Sequence, residues 1–293
     1  MMPAPDLKTL RFGALLNTSS GSCDPQAERA IVACLQAAGI TGFKIWSGAG
    51  ADVEPNLKLA AAEKVDVLVV LGGDGTIRAA AEHCGAAGTL LIPLPGGTMN
   101  MLAKTLYGTR PWRQALEATL AAPAVQPVHG GEVEGRRFFV AAIFGEPTRF
   151  ADAREAMRQG DIAGAIGKGI NALQKALEYE LNYRFNADQH GSAEAVTVIC
   201  PLTSSQLGNQ EEVLEAAAID PEGPIDALRL ALHAAFSTWR SDPTVARAKV
   251  EAFDISAEFE IPALLDGERF TLPSKARVAL VRNAFTALRP AGD

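Results

Sequence analysis

The stretch VDVLVVLGGDGTIRAAAEH, residues 65–83, limits what this chain can fold into more than any other. A nearly continuous apolar run passes without a spacer into Gly72, Gly73, Asp74, Gly75 and Thr76, and then into a helix-like segment. Such runs suit strands buried on both faces of a parallel sheet. Glycine is costly to order, so three within four residues need a reason. Glycines let the backbone approach a ligand closely, and the helix that follows presents N–H groups without intrahelical partners at a positive dipole end. Together these features make an anion site, most naturally for phosphate. The turn is neither the Walker pattern, since no Gly-Lys-Ser/Thr follows, nor the dinucleotide G-x-G-x-x-G.

The flanking segments repeat the same grammar. RFGALLN (11–17), GFKIW (42–46) and TLLIPL (89–94) read as strands, and 24–39 and 54–64 as helices. Asp24 suits the N-cap of the first helix, Pro25 its first position and Gly39 its C-terminal end. Alternation of this kind predicts a doubly wound α/β domain. A second turn, PLPGGTMN (93–100), is again strand, Gly-Gly-Thr, helix. Two such turns on neighbouring strands would converge at the carboxyl ends of the sheet, where open α/β sheets bind ligands. Asp74 is the odd member, because a carboxylate among phosphate-binding amides repels phosphate unless a cation intervenes. It has two compatible uses: partner to Mg²⁺, its waters or a substrate hydroxyl, or cap of the helix from Gly75 onward.

After about Pro127 the pattern changes. EVEGRRFFVAAIF (132–144) reads as a hairpin turning near Gly135, and 194–200, 226–233, 249–261 and 277–282 read as strands. This half is expected to be mostly antiparallel β with helical insertions, one of them at 150–180, read as a packed helix with a lipid-facing or partner-facing helix as the alternative. The net charge of −7 and the lack of a Lys/Arg run argue against nucleic acid as a partner. Cys23, Cys34, Cys84 and Cys200 form no C-x-x-C pair, so reduced thiols are expected rather than zinc or disulfides. The chain's opening lacks a signal-peptide core and no window approaches ~20 apolar residues. A cytoplasmic protein is expected.

At the glycine turns the sequence resembles the diacylglycerol kinase catalytic-domain family of lipid kinases. LLNTSSGSC (15–23) resembles the family's first nucleotide loop, GGDGT (72–76) its central turn, PLPGGTMN (93–100) its Pro-x-Gly-Thr-x-Asn turn, and LLDGERF (264–270) its late Asp-Gly-Glu motif. The resemblance implies an α/β ATP-binding domain, 1–127 with a C-terminal return at 285–293, and a β-sandwich lipid-substrate domain, 128–284. It implies transfer of the γ-phosphoryl of ATP, with Mg²⁺, to the hydroxyl of a lipid such as diacylglycerol, with ATP in the interdomain cleft. Peripheral contact with the inner membrane surface and a homodimer follow from the same resemblance. Gly72, Gly73, Gly75 and Thr76 would hold ATP phosphates, and Gly96, Gly97, Thr98 and Asn100 would form the opposite wall. Asn17, Ser20 and Ser47 would contact the nucleotide. Glu268 stands at the position of the general base, supported by Asp266, with Asp74 as the third catalytic acid.

The chain departs from the family at several points. Arg78 and Ala79 stand where many members have Asn and Glu. Met101 replaces an acid of the third turn, and His129 stands about where another family acid begins the strand linking the domains. Asp74 is then left as the survivor of three acids, which puts the metal arrangement in question. Asp220, Glu222 and Asp226 lie where some bacterial members bind a structural metal, with a solvated turn as the other reading. A non-catalytic nucleotide- or lipid-binding relative and a kinase for a soluble substrate such as NAD stay open as alternatives.

Overall fold

The computed structural model describes residues 5–145, 180–207, 211–220, 240 and 242–292. The helix expected at 150–180, the strand at 226–233, and Glu222 and Asp226 lie outside the described residues, apart from Glu180 at the helix's end. The chain forms two compact units, Met1–Gly130 with Val281–Asp293, and Gly131–Leu280.

In the first unit, strands and helices alternate as β1 (Phe12–Asn17), α1 (Ala27–Ala37), β2 (Phe43–Gly48), α2 (Val53–Ala62), β3 (Val67–Gly72), α3 (Asp74–Ala87), β4 (Leu90–Pro95), α4 (Met101–Tyr107) and α5 (Trp112–Ala121). The strands are parallel in the order β2-β1-β3-β4. Every residue of β1 and β3 is buried, as expected for strands covered on both faces by helices. The order reverses after β1: the chain goes first to β2 on one side and then to β3 on the other. The carboxyl ends of β1 and β3 therefore flank the switch point, where connecting loops diverge and leave a crevice.

Helix α1 corrects one expectation. Asp24 is not its N-cap, and Pro25 is not its first residue. The Asp24 side chain accepts the Gln26 N–H at 2.7 Å and its carbonyl accepts the Ala27 N–H, making a turn ahead of the helix. Such an Asx turn competes with helical backbone for the same donors. The other end is as read: Gly39 has φ 77° and the Ile40 N–H returns to the Leu35 carbonyl.

The last strand, β16 (Lys275–Pro290), closes the first unit's sheet with its final residues, pairing Thr286 and Ala287 in parallel with Leu90 and Leu91 of β4. Helix α3 lies so close to it that a Cβ on Gly85 would sit 1.9 Å from the Ala284 carbonyl oxygen. The Tyr107 hydroxyl donates to the Leu288 carbonyl, and the Ala291 N–H to that of Ala122.

The second unit is antiparallel. One sheet runs β12 (Val245–Val250), β11 (Leu214–Ile219), β10 (Ala195–Ile199), β7 (Ala141–Gly145), β14 (Ile261–Leu265), β15 (Glu268–Leu272). Opposite it, the start of β16 pairs with β13 (Ala252–Ser256), which pairs with β8 (Leu181–Arg184), which pairs with β9 (His190–Ala193). Both sheets feed one core built around Phe138, Phe144, Phe185 and Phe253. The hairpin read at Gly135 is present: Glu134 and Gly135 both have positive φ between β5 (Pro123–Val133) and β6 (Arg136–Phe138), the two-residue turn that suits strand twist. The segment read as one strand at 249–261 is instead divided among β12, β13 and β14. The reason is topological: β12 pairs with β11, β13 pairs with β8 and β16, and the chain changes sheets at Glu251. Among the described residues no helix is long and apolar enough to cross a membrane. The four cysteines are free thiols, three of them buried.

Among the described residues of this unit, the Glu194 carboxyl is pushed well above its ordinary range. Glu194 precedes β10, beside Asp220 at the end of β11. Burial first, and the Asp220 charge second, push its carboxyl up to about 7 from 4.5. The folded chain thus holds this proton more tightly than the unfolded chain does. Its stabilising contribution is complete below about pH 4.5 and is lost as pH rises through about 7. Urea unfolding across that interval is expected to show a decline in stability that Glu194→Gln flattens; equal pH slopes for the two proteins would refute it.

Candidate nucleotide site

Three loops meet at the carboxyl ends of β1, β3 and β4. The first follows Asn17, the last residue of β1. Asn17 is buried, its side-chain amide donates to the Thr76 hydroxyl at 2.8 Å, and its Oδ1 accepts the Ser19 N–H. Ser20 comes next, its hydroxyl accepting the Gly73 N–H at 3.1 Å, and the Ser22 N–H donates to the Gly96 carbonyl. The loop after β1 is thereby tied to both glycine turns.

The glycine turns also touch each other directly. The Gly96 N–H donates to the Gly72 carbonyl at 2.8 Å. A Cβ on Gly96 would lie 2.7 Å from the Gly72 nitrogen, and one on Gly97 would lie 2.6 Å from the Gly73 Cα. Backbone packed on backbone at this distance excludes any side chain. Sequence reasoning gave these glycines to the ligand; the structure gives Gly96 and Gly97 first to the neighbouring turn.

Asp74 is the brace between the turns. Its Oδ1 accepts the Met101 N–H at 2.6 Å and its Oδ2 the Asn100 N–H at 2.8 Å. The carboxylate thus caps the start of α4. Helix α3, which Asp74 itself opens, has Gly73 as its N-cap, which corrects the reading of Asp74 as the cap of its own helix. Asn100, in the left-handed region at φ 51°, spends its side chain on one peptide unit: Oδ1 accepts the Gly97 N–H and Nδ2 donates to the Gly97 carbonyl, both at 2.7 Å. Thr98 is exposed at the tip of this turn, and Gly75 lies in the first turn of α3. The N–H groups of Asp74, Gly75 and Thr76 have no acceptor within their own helix, as at any helix start. Donors of this kind at a helix start favour a negative charge.

The remaining predicted residues fall into two groups. Ser47 is exposed on β2 and donates to Glu28 at 2.7 Å, so its hydroxyl is held by α1 and not by the three loops. Asp266 and Glu268 belong to the second unit, on the hairpin between β14 and β15, where Asp266 and Gly267 both take positive φ. The Asp266 carboxylate accepts N–H groups from Phe139, Val140 and Ala141 at 2.7–3.0 Å. Three backbone donors make it the fastening of the hairpin to the chain entering β7. Glu268 is half-buried at the first position of β15.

The two departures from the family acids also have local explanations. Met101 is 42% exposed and offers the site its backbone N–H, while His129 is buried on β5 and accepts the Asn283 N–H at Nδ1. A ring that accepts at Nδ1 carries its proton at Nε2 when neutral. Arg78 pairs with Glu82 one helical turn on. Among the described residues no three His, Cys, Asp or Glu side chains cluster as a metal site.

Residues 11–133 match the diacylglycerol kinase catalytic domain. The resemblance read from the motifs is thereby borne out over the region that contains the three loops. Solved structures share the fold along nearly the whole chain. A diacylglycerol kinase of Bacillus anthracis strain Sterne is 16% identical, with 96% of this chain and 97% of that one covered at a TM-score of 0.70. A second protein of that strain, assigned to the same kinase class, is 18% identical, with 99% of each chain covered at a TM-score of 0.76. Both have the arrangement found here, a parallel α/β region followed by antiparallel β structure.

The carboxylate brace makes a measurable claim. Asp74→Asn replaces one acceptor by a donor facing a backbone N–H and removes the charge from both bonds. A loss of about 2 kcal/mol is expected, read by urea unfolding without nucleotide or metal. Unchanged stability would mean that Asp74 does not hold the turns together.

Proposed function

We propose that this chain is an ATP-dependent lipid kinase, transferring the γ-phosphoryl group of MgATP to the hydroxyl of a lipid such as diacylglycerol. The observation that carries the reading is the convergence of the loops after β1, β3 and β4 at the switch point of the sheet, within the region matched by the kinase family. The helix start at Asp74–Thr76 would bind phosphate oxygens through N–H donors, with Gly96, Gly97, Thr98 and Asn100 shaping the opposite wall. Asn17 and Ser20 would act by fixing Thr76 and Gly73, and Ser47 is the weakest of the nucleotide contacts.

Mg²⁺ fits this chain as part of the nucleotide, not as an ion held by a protein cage. The carboxylate nearest the phosphate turn already accepts two backbone N–H groups, and Mg²⁺ is commonly carried on substrate phosphates. In the proposed step the lipid hydroxyl oxygen bonds to the γ-phosphorus, the bond to the β–γ bridging oxygen breaks, and ADP leaves. The hydroxyl proton goes to the Glu268 carboxylate, with Asp266 holding that hairpin in place. Peripheral contact with the inner membrane surface and a homodimer belong to the same proposal.

The test is labelled-phosphate transfer from MgATP to diacylglycerol in vesicles, alongside binding of a non-hydrolysable ATP analogue. Glu268→Gln is expected to lower turnover by about 10²–10⁴ while leaving analogue affinity intact. Analogue binding with no transfer to any lipid alcohol would favour a nucleotide-binding relative without catalysis. Transfer to NAD instead would favour a soluble substrate.

A further inference from the structure

The second unit carries a groove that the proposed reaction does not use. It lies on the outward side of the four strands β16, β13, β8 and β9, with a volume of about 650 Å³. Strand register lays its side chains out in two rows. One row is Arg277, Asp254, Arg184 and His190, directly paired from strand to strand; the other is Lys275, Ser256, Asn182 and Ser192. All eight lie on the face turned away from the core, since the residues between them along β13 and β16, Phe253, Ile255, Ala276 and Val278, are buried.

The charges in these rows are unevenly committed. Arg277 and Asp254 pair at 2.9 Å, and the Ser192 hydroxyl donates to Glu180 and to the Asn182 oxygen. Among the described residues, the side chains of Arg184, His190 and Lys275 make no hydrogen bond or ion pair. A direct cross-strand neighbour lies about 5 Å away and a diagonal one about 7 Å away. Lys275 is the direct neighbour of Ser256, Ser256 of Asn182, and Arg184 stands two residues along the strand from Asn182. Two uncommitted cations on long side chains therefore flank a hydroxyl and an amide, one from each side. The one carboxylate within the rows is held by Arg277, and Glu134 sits on the wall. Glu180, held on the Ser192 hydroxyl, is the other nearby acid, so what the seat offers an anion is the two uncommitted cations rather than a large net charge.

We propose that this groove binds a phosphate group, seated over Ser256 and Asn182 between Lys275 and Arg184. The guanidinium and ammonium supply charge-assisted donors and the hydroxyl and amide complete the shell. The same chemistry serves a soluble phosphomonoester and the phosphate of a lipid headgroup, and the site is independent of the glycine turns and of the reaction proposed for them.

The experiment separates those sources and the two sites. The full chain is first saturated with a non-hydrolysable ATP analogue, and inorganic phosphate and glycerol 3-phosphate are then titrated by calorimetry. In parallel, sedimentation is measured with phosphatidylcholine vesicles with and without phosphatidylglycerol. Arg184→Gln and Lys275→Gln are each expected to weaken binding roughly tenfold, the equivalent of about 1.4 kcal/mol. Asp254→Asn is expected to strengthen it by freeing Arg277, an opposite sign that unfolding of the face would not produce. Loss in calorimetry alone assigns the seat to soluble phosphates, and loss in sedimentation alone assigns it to lipid headgroups. Binding that survives both glutamine variants, or no binding of either kind, overturns the proposal. Failure of the analogue to bind would count against the kinase reading and leave the comparison of variants intact.

Discussion

The first unit's loops depend on one contact: the backbone of Gly96 and Gly97 lying directly on that of Gly72 and Gly73. A single added methyl group at Gly97 would stand 2.6 Å from the opposing Cα. Since neither turn can move without the other, the helix that each turn begins is placed by the pair. Asp74 adds the directional part of this constraint. It belongs to one turn and accepts the first N–H groups of the helix that follows the other. Two steric contacts and one bidentate carboxylate thus fix the start of α4 against that of α3.

The glycines show where sequence reading reached and where it stopped. Gly72 to Thr76 could be read as strand, turn and helix because the apolar run, the glycines and the helical pattern are all local. The parallel α/β region and the antiparallel half were legible for the same reason, since burial on both faces and alternation of side chains leave different periodicities. What the glycines were for was not legible. Close approach to a ligand and close approach to another turn demand the same residue, and only the tertiary fold says which neighbour is there. Asp24 failed for a smaller version of the same reason. An Asp before a Pro and an apolar periodic run satisfies the N-cap pattern, but the same side chain can close a turn one step earlier. The 249–261 segment failed because a change of sheet at Glu251 leaves no mark on alternation.

The carboxylates teach a related lesson. Asp74 and Asp266 stand in motifs that resemble catalytic ones, and both spend their oxygens on backbone N–H groups: two for Asp74 and three for Asp266. Motif acids can be retained for what they hold in place. That arrangement also makes the side chain at Met101 immaterial to the brace. The brace takes the backbone N–H of that residue, and every residue except proline offers one.

Having fewer acids beside the turns than the resemblance implies would have an electrostatic consequence. Each carboxylate facing a phosphate turn raises the need for a cation between them, so removing acids lowers that need. Met101 is exposed, His129 is engaged through Nδ1 with Asn283, and the Asp74 carboxylate at the start of α3 is turned toward the start of α4. In the proposed reading, backbone N–H groups and the dipole of α3 would then act on an incoming phosphate with less opposition than among several acids. In the proposed reaction a metal ion arriving with the nucleotide would need no protein cage. The positions where the chain departs from the acids implied by the resemblance therefore leave the backbone geometry of the turns intact, because that geometry rests on Gly72, Gly73, Gly96, Gly97 and Asp74.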